Sequence, residues 1–148
     1  MAKPPSPTRE NLGFRLAKAS QRWNELLKER FLAAGYPEVR PSYGSILIPL
    51  FEEDGLRMGE LAARARLSKQ TMTTMVRLLE RDGLVERRAD PDDRRASRIY
   101  LTARSRRFAN VAAGALTDLD ALVRDRLGAR KAAALADALA DLMELDAE

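Results

Sequence analysis

Between Ser68 and Leu79 there is no aspartate or glutamate, in a chain of 148 residues of which 32% are charged. Met72, Met75, Val76 and Leu79 in this stretch follow the i, i+3, i+4, i+7 spacing of one helix face. With those four inward, Gln70, Thr73, Thr74 and Arg77 form the outward stripe, flanked by Lys69 and Thr71. These side chains suit base edges: Gln pairs bidentately with adenine, Arg with guanine, and a Thr methyl touches the thymine methyl. Ser68 precedes the first helical residue and is a good N-cap. The free backbone N–H groups and partial positive charge at that helix start also suit a phosphate, with the Ser68 or Thr71 hydroxyl adding a bond. Simple capping by Ser68 is compatible with that role.

A second cluster lies downstream. Asp92, Asp93, Arg94, Arg95 and Arg98 gather around a turn. Acids beside arginines would only weaken phosphate neutralisation. They make sense where a carboxylate holds a guanidinium in one pose for entry into a narrow minor groove. Lys69, Ser68, Arg95 and Arg98 are the expected phosphate ligands.

These residues need a frame. Gly59 to Ala65 reads as a short helix with Leu61, Ala62 and Ala65 inward, and Leu67 fills the turn before Ser68. The helix from Lys69 to about Arg81 ends at Gly83, which supplies a left-handed residue. Leu84–Arg88 and Ser97–Leu101 read as strands around the turn Asp90-Pro91-Asp92-Asp93, giving a hairpin with a long arginine-rich tip. A short strand near Leu56 is expected to join it. Upstream, Thr8 is the expected cap of a helix carrying Leu12, Leu16, Ala19, Trp23, Leu26, Leu27 and Phe31, which stops near Gly35 and Pro37. Ser42 is expected to open the next helix, bent by Pro49. A long helix follows Thr102 to about Leu127; Gly128 breaks it, and a last helix runs to about Leu145. The class is mainly α, with a winged helix-turn-helix at 42–101 and helices at 8–36 and 103–146 framing it within one domain. The leucines at 116, 119, 122, 127, 135, 139, 142 and 145, with Val123, exceed what one small core can cover, so a partner chain is expected on them.

Charge distribution points the same way. Residues 1–56 carry net +1, residues 57–107 net +7 and residues 108–148 net −4, which together make the total of +4. A basic middle beside an acidic tail is the electrostatic footprint of a nucleic-acid binder. There is no Cys and no His. Disulfides, thiol redox sensing, Cys-ligated zinc and a histidine base are thereby excluded. No phosphate-binding Gly loop or paired acid–base motif marks an enzyme, and no cofactor is called for. The opening residues lack the apolar core of a signal peptide, and no apolar run approaches the ~20 residues of a membrane span. A cytoplasmic protein is expected.

The segments Leu61-Ala62, Leu67 to Thr73, Leu79 to Val85, Asp90 to Arg95 and Leu101-Thr102 together resemble the MarR family of winged helix-turn-helix regulators. The resemblance is dense over residues 56–102 and weaker on both flanks. It implies a homodimer built from the N- and C-terminal helices, two lobes on a pseudo-palindromic double-stranded operator, and half-sites about one helical turn apart. It implies Arg94 as the minor-groove arginine and Asp92 as its orienter. It also implies a repressor released by a small aromatic ligand, bound between the dimer helices and the DNA-binding lobe. Candidates for that pocket are Trp23, Phe31, Tyr43 and Phe108, with Arg15 or Arg22 to receive a carboxylate. Two positions depart from the family pattern. Arg57 stands where a capping Ser or Thr is common, and Ser105 where Gly is frequent. The absence of Cys excludes the oxidant-sensing subgroup. The rival reading is a winged-helix module for protein contact or DNA architecture, with no sequence preference.

Overall fold

The computed structural model describes residues 2–146. Its elements in chain order are α1 (Leu12–Ala33), a 3-10 turn (Pro41–Tyr43), α2 (Gly44–Glu52), β1 (Leu56–Arg57), α3 (Met58–Ala65), α4 (Lys69–Arg81), β2 (Val85–Asp90), β3 (Asp93–Leu101), α5 (Ala103–Leu127) and α6 (Ala129–Met143). The three strands form an antiparallel sheet in the order β1-β3-β2. This is a winged helix-turn-helix, α3 and α4 being the two helices of the turn motif and β2–β3 the wing.

The motif closes for reasons visible in its residues. Leu61 on α3, Met72, Val76 and Leu79 on α4, and Leu84, Ile99 and Leu101 around the sheet are all buried. At roughly 1.5–3 kcal/mol for each large apolar side chain, that shared core outweighs any single polar contact in the lobe. Met75 is only half-buried and packs on the rim of the core. Gly83 follows α4 at φ +73°, the left-handed conformation expected of it. Arg66, between α3 and α4, takes the same region at φ 54° without being glycine. Its guanidinium reaches the Met143 carbonyl and Glu144 beyond the end of α6. Gly55 before β1 also has positive φ, and a Cβ there would meet the Tyr100 ring at 2.8 Å.

α1 and α5 pack side by side and share the core with the lobe through Leu27, Phe31, Phe108, Ala115 and Leu119. Phe31 and Phe108 meet edge to face at 4.8 Å. The start of α5 is fastened by a reciprocal cap. The Ser105 N–H donates to the Thr102 hydroxyl, and the Thr102 N–H donates to the Ser105 hydroxyl at 3.0 Å. Ser105 is fully buried, so a glycine here would lose half of that box. Arg104 packs on the Tyr36 ring at 4.3 Å and pairs with Glu38, tying α5 to the loop after α1.

Several boundaries differ from the sequence expectation. Asn11, not Thr8, caps α1: its side chain accepts from the Gly13 and Phe14 N–H groups, while the Thr8 hydroxyl accepts only from Glu10. Ser42 lies inside the 3-10 turn opened by Pro41, and α2 begins at Gly44. The wing has no long tip. Its strands run to Asp90 and from Asp93, leaving Pro91 and Asp92 as a two-residue turn, so Arg94 and Arg95 stand on β3 itself. Residues 86–89 are exposed on both faces of β2, so the period-2 signal that marks a half-buried strand is missing there.

Candidate nucleic-acid interface

α4 displays its polar residues as their spacing requires. Met72, Val76 and Leu79 hold one side of the helix in the core, while Lys69, Gln70, Thr71, Thr74 and Arg77 are exposed and Thr73 is half-exposed. Ser68 is the N-cap. Its hydroxyl oxygen accepts the Thr71 N–H at 3.2 Å and lies 3.0 Å from the Thr71 hydroxyl. The Thr73 hydroxyl donates to the Lys69 carbonyl at 2.8 Å, and the Thr74 hydroxyl to the Gln70 carbonyl at 3.1 Å. Both hydroxyl protons are thus committed to the helix backbone. The two threonines turn methyl groups and lone pairs outward, while Lys69, Gln70 and Arg77 supply the donors. Among the described residues, no ion pair involves Lys69 or Arg77.

The wing is arranged otherwise than the Asp92–Arg94 pairing expects. Among the described residues, neither Asp92 nor Arg94 makes an ion pair. The Asp93 carboxylate accepts the Arg95 N–H at 3.0 Å, a local turn bond. The acid that organises the wing is Asp90, which the sequence reading left out of the site. It is 2% exposed and faces Arg57 and Arg98. The Asp92 N–H, the largest influence, and the two guanidiniums hold the Asp90 carboxyl below its ordinary range against the opposing effect of burial. Arg98 also donates to the Gly55 carbonyl at 3.0 Å, which holds it at the root of the wing. The available signal was the order Asp-Pro at the start of a tight turn, where an aspartate side chain bonds the backbone two residues on. Arg94 and Arg95 remain exposed.

α4 is tied to neighbouring elements at its far end. Arg87 on β2 pairs with Glu80 at 2.9 Å. The fully buried Tyr43 donates its phenol proton to Asp82 at 2.6 Å, joining the turn before α2 to the residue that closes α4. Burial alone would raise the Asp82 carboxyl, but hydrogen bonds from Arg81 and Tyr43 outweigh it and hold it below its ordinary value. Burial first, then the bond to Asp82, pushes the Tyr43 phenol up.

A cavity of about 250 Å³ opens between α1, α2 and α5. Trp23, Phe31 and Phe108 line it, with Phe51, Ile48 and Leu116. Two expected members do not. Tyr43 is turned away toward Asp82, and Arg15 lies on the exposed N-terminal half of α1. Arg22 pairs with Glu25 on the same helix. The cation that borders the cavity is Arg40, which the sequence reading missed. It stands between Val39 and Pro41 in extended backbone. Among the described residues, no cluster of acids could hold a metal ion, and no helix is long and apolar enough to cross a membrane.

The fold defines a winged helix-turn-helix protein, with a polar, acid-free face outward on α4. Residues 41–97 match the model of the MarR family. The chain is similar to the HTH-type transcriptional regulator TtmR of Methylorubrum extorquens, 36% identical over 77 residues, which is 52% of this chain and 39% of that protein. The chain therefore matches well under half the length of that curated relative. A probable transcriptional regulator from Pseudomonas aeruginosa superposes with a TM-score of 0.78 at 25% identity, covering 90% of this chain and 97% of the other. The transcriptional repressor CouR, solved bound to a 23-mer DNA duplex, shares the fold with a TM-score of 0.73 at 24% identity, over 95% of this chain and all of that one.

Proposed function

We propose that the protein is a transcriptional regulator that binds double-stranded DNA as a homodimer, with α4 in the major groove and the β2–β3 wing over the adjacent minor groove. The observation that carries this reading is the outward face of α4, free of acids and, among the described residues, of ion pairs, beside two exposed wing arginines. Gln70, Thr73, Thr74 and Arg77 meet base edges, Arg94 enters the minor groove, and Ser68, Lys69 and Arg95 hold phosphates. Arg98 serves from behind, through its contacts with Asp90 and Gly55.

Dimerisation follows from what the chain leaves uncovered. α6 has no buried residue, and Leu135, Leu139 and Leu142 are 38–42% exposed along it. Leu12, Phe14 and Leu16 on α1 and Leu122 on α5 are exposed as well. A second chain laid on these faces removes that area from water at about 25 cal/mol per Å². Chain segments 8–36 and 103–146 are the dimer-forming part, and 42–101 the DNA-reading part.

The cavity between the two parts suits a single aromatic ring, being slightly smaller than the roughly 300 Å³ at which most ligand pockets begin. Arg40 at its edge would receive an anionic substituent. A ligand there favours one spacing of the two reading helices over another, and repression is lifted to the extent of that preference. The test is selection from a random duplex pool with purified protein at moderate salt. An inverted repeat with half-sites about one turn apart supports the reading. Salt-sensitive binding without a motif, or none, favours the architectural or protein-contact module instead.

A further inference from the structure

Three elements meet at one carboxylate behind the reading face. Asp90 closes β2, and its side chain is fully buried. Oδ1 accepts the Asp92 N–H at 2.9 Å and so shapes the wing turn. Oδ2 lies 2.6 Å from Arg57 Nε and 3.4 Å from Arg98 Nε. Neither Arg57 Nε nor Asp90 Oδ2 has a hydrogen bond of good geometry, so the contact is chiefly one of charge. Arg57 and Arg98 face each other across the β1–β3 register. Arg57 is also the residue that precedes α3, and its side chain gives that helix no capping bond. Where a Ser or Thr would close α3, this chain points a cation at the wing.

β1 is only two residues long, so backbone pairing alone ties the wing to α3 weakly. The carboxylate adds a tie between two guanidiniums that would otherwise repel each other. Removing the buried carboxylate leaves two part-exposed guanidiniums directly opposite each other across the strand pair, a like-charge contact that drives them apart. We propose that Asp90, with Arg57 and Arg98, is a positioning residue for DNA recognition: it fixes the wing to the start of α3 and thereby sets where Arg94 and Arg95 stand relative to α4. This rests on the DNA-binding reading above.

Asp90→Asn separates positioning from bulk charge because the two predict opposite signs. The substitution adds one positive charge and keeps an oxygen for the Asp92 N–H. Counterion release alone would tighten binding to any duplex. Loss of the tie weakens binding to the selected duplex only. Full-length protein is titrated with the selected duplex and with a scrambled duplex of equal length, at several salt concentrations. The expected result is a fall of about tenfold in the ratio of the two affinities for Asp90→Asn, with scrambled-duplex binding unchanged or tighter. Arg57→Gln is expected to lower the ratio in the same direction and carries the test if Asp90→Asn fails to fold. Asp118→Asn, the same charge change at an exposed site on α5, leaves the ratio unchanged. In the free protein, amide hydrogen exchange over residues 85–101 quickens in Asp90→Asn while α4 keeps its protection. A ratio within about twofold of wild type, or a wing whose exchange does not change, overturns the proposal. Wild-type protein that prefers no duplex overturns the DNA-binding reading itself, and with it any role of Asp90 in recognition, whatever the exchange shows.

Discussion

α4 and α6 are both amphipathic helices, and the chain treats them in opposite ways. α4 buries Met72, Val76 and Leu79 in its own lobe and leaves a polar face with nothing to do for the fold. α6 buries nothing and leaves Leu135, Leu139 and Leu142 in water. The first helix is complete within one chain and its free face is chemically selective. The second buries nothing within the chain, and its free face is merely apolar. Specific recognition is thus expected on one and assembly on the other.

The largest expected effect lies in the buried face of α4. Leu79→Ala is expected to cost about 2–5 kcal/mol of folding stability, because a fully buried side chain leaves a cavity. Leu139→Ala is expected to leave the fold of the single chain nearly unchanged and to raise the protein concentration at which dimers form. Urea melts at several protein concentrations check both. A concentration-independent melt for wild type would remove the assembly role of α6.

Next in size is the tie between Tyr43 and Asp82. Tyr43→Phe is expected to cost about 1.5–3 kcal/mol, the usual value of a hydrogen bond to a charged group. Its effect has a pH window. Asp82 is depressed, so its contribution is full above the ordinary carboxylate range and fades as pH falls through the folded value. Tyr43 is raised, so its contribution is full below the ordinary phenol range and fades as pH rises through the folded value. The difference in melting temperature between wild type and Tyr43→Phe should therefore be largest near neutrality and shrink at both extremes. A difference constant from acid to alkali would mean that the lost oxygen, not the hydrogen bond to a carboxylate, sets the effect.

Arg94→Ala is expected to weaken binding to the selected duplex by roughly 1–3 kcal/mol with no loss of folding stability. Fluorescence anisotropy and thermal melts read the two arms. Ser68→Ala is the smallest: about 1 kcal/mol of stability from the lost cap, with a further loss of duplex affinity only if the helix start also meets a phosphate. Equal losses in free and bound protein would confine Ser68 to capping.

What could be read in the sequence divides along the same line. α4 was legible from Lys69 to Arg81 because its apolar spacing, its cap and Gly83 agree with one another. The Gln70, Thr73, Thr74 and Arg77 stripe followed from that spacing alone. Asp90 was not legible as the pivot of the wing, since the arginines it meets come from β1 and β3 and only pairing in space brings them together. The wing strands came out longer than expected because residues 86–89 have no inward face to impose alternation. Tyr43 lies away from the cavity, and Arg40 borders it, for a related reason. The 3-10 turn rotates Tyr43 into the lobe and leaves Arg40 beside the cavity, and no periodicity signals such a turn. Thr8 lost the cap of α1 to Asn11, the sort of boundary that two neighbouring polar residues leave open.

Since the core is satisfied without the outward side chains of α4, substitutions at Gln70, Thr74 and Arg77 would, on the proposed reading, change what the helix binds while scarcely touching whether the chain folds. Duplicated copies of such a gene could acquire new targets by single steps, each copy remaining stable along the way. Arg98 and Arg57, locked to Asp90, have no such freedom, so divergence between copies should accumulate on the helix face and spare the root of the wing.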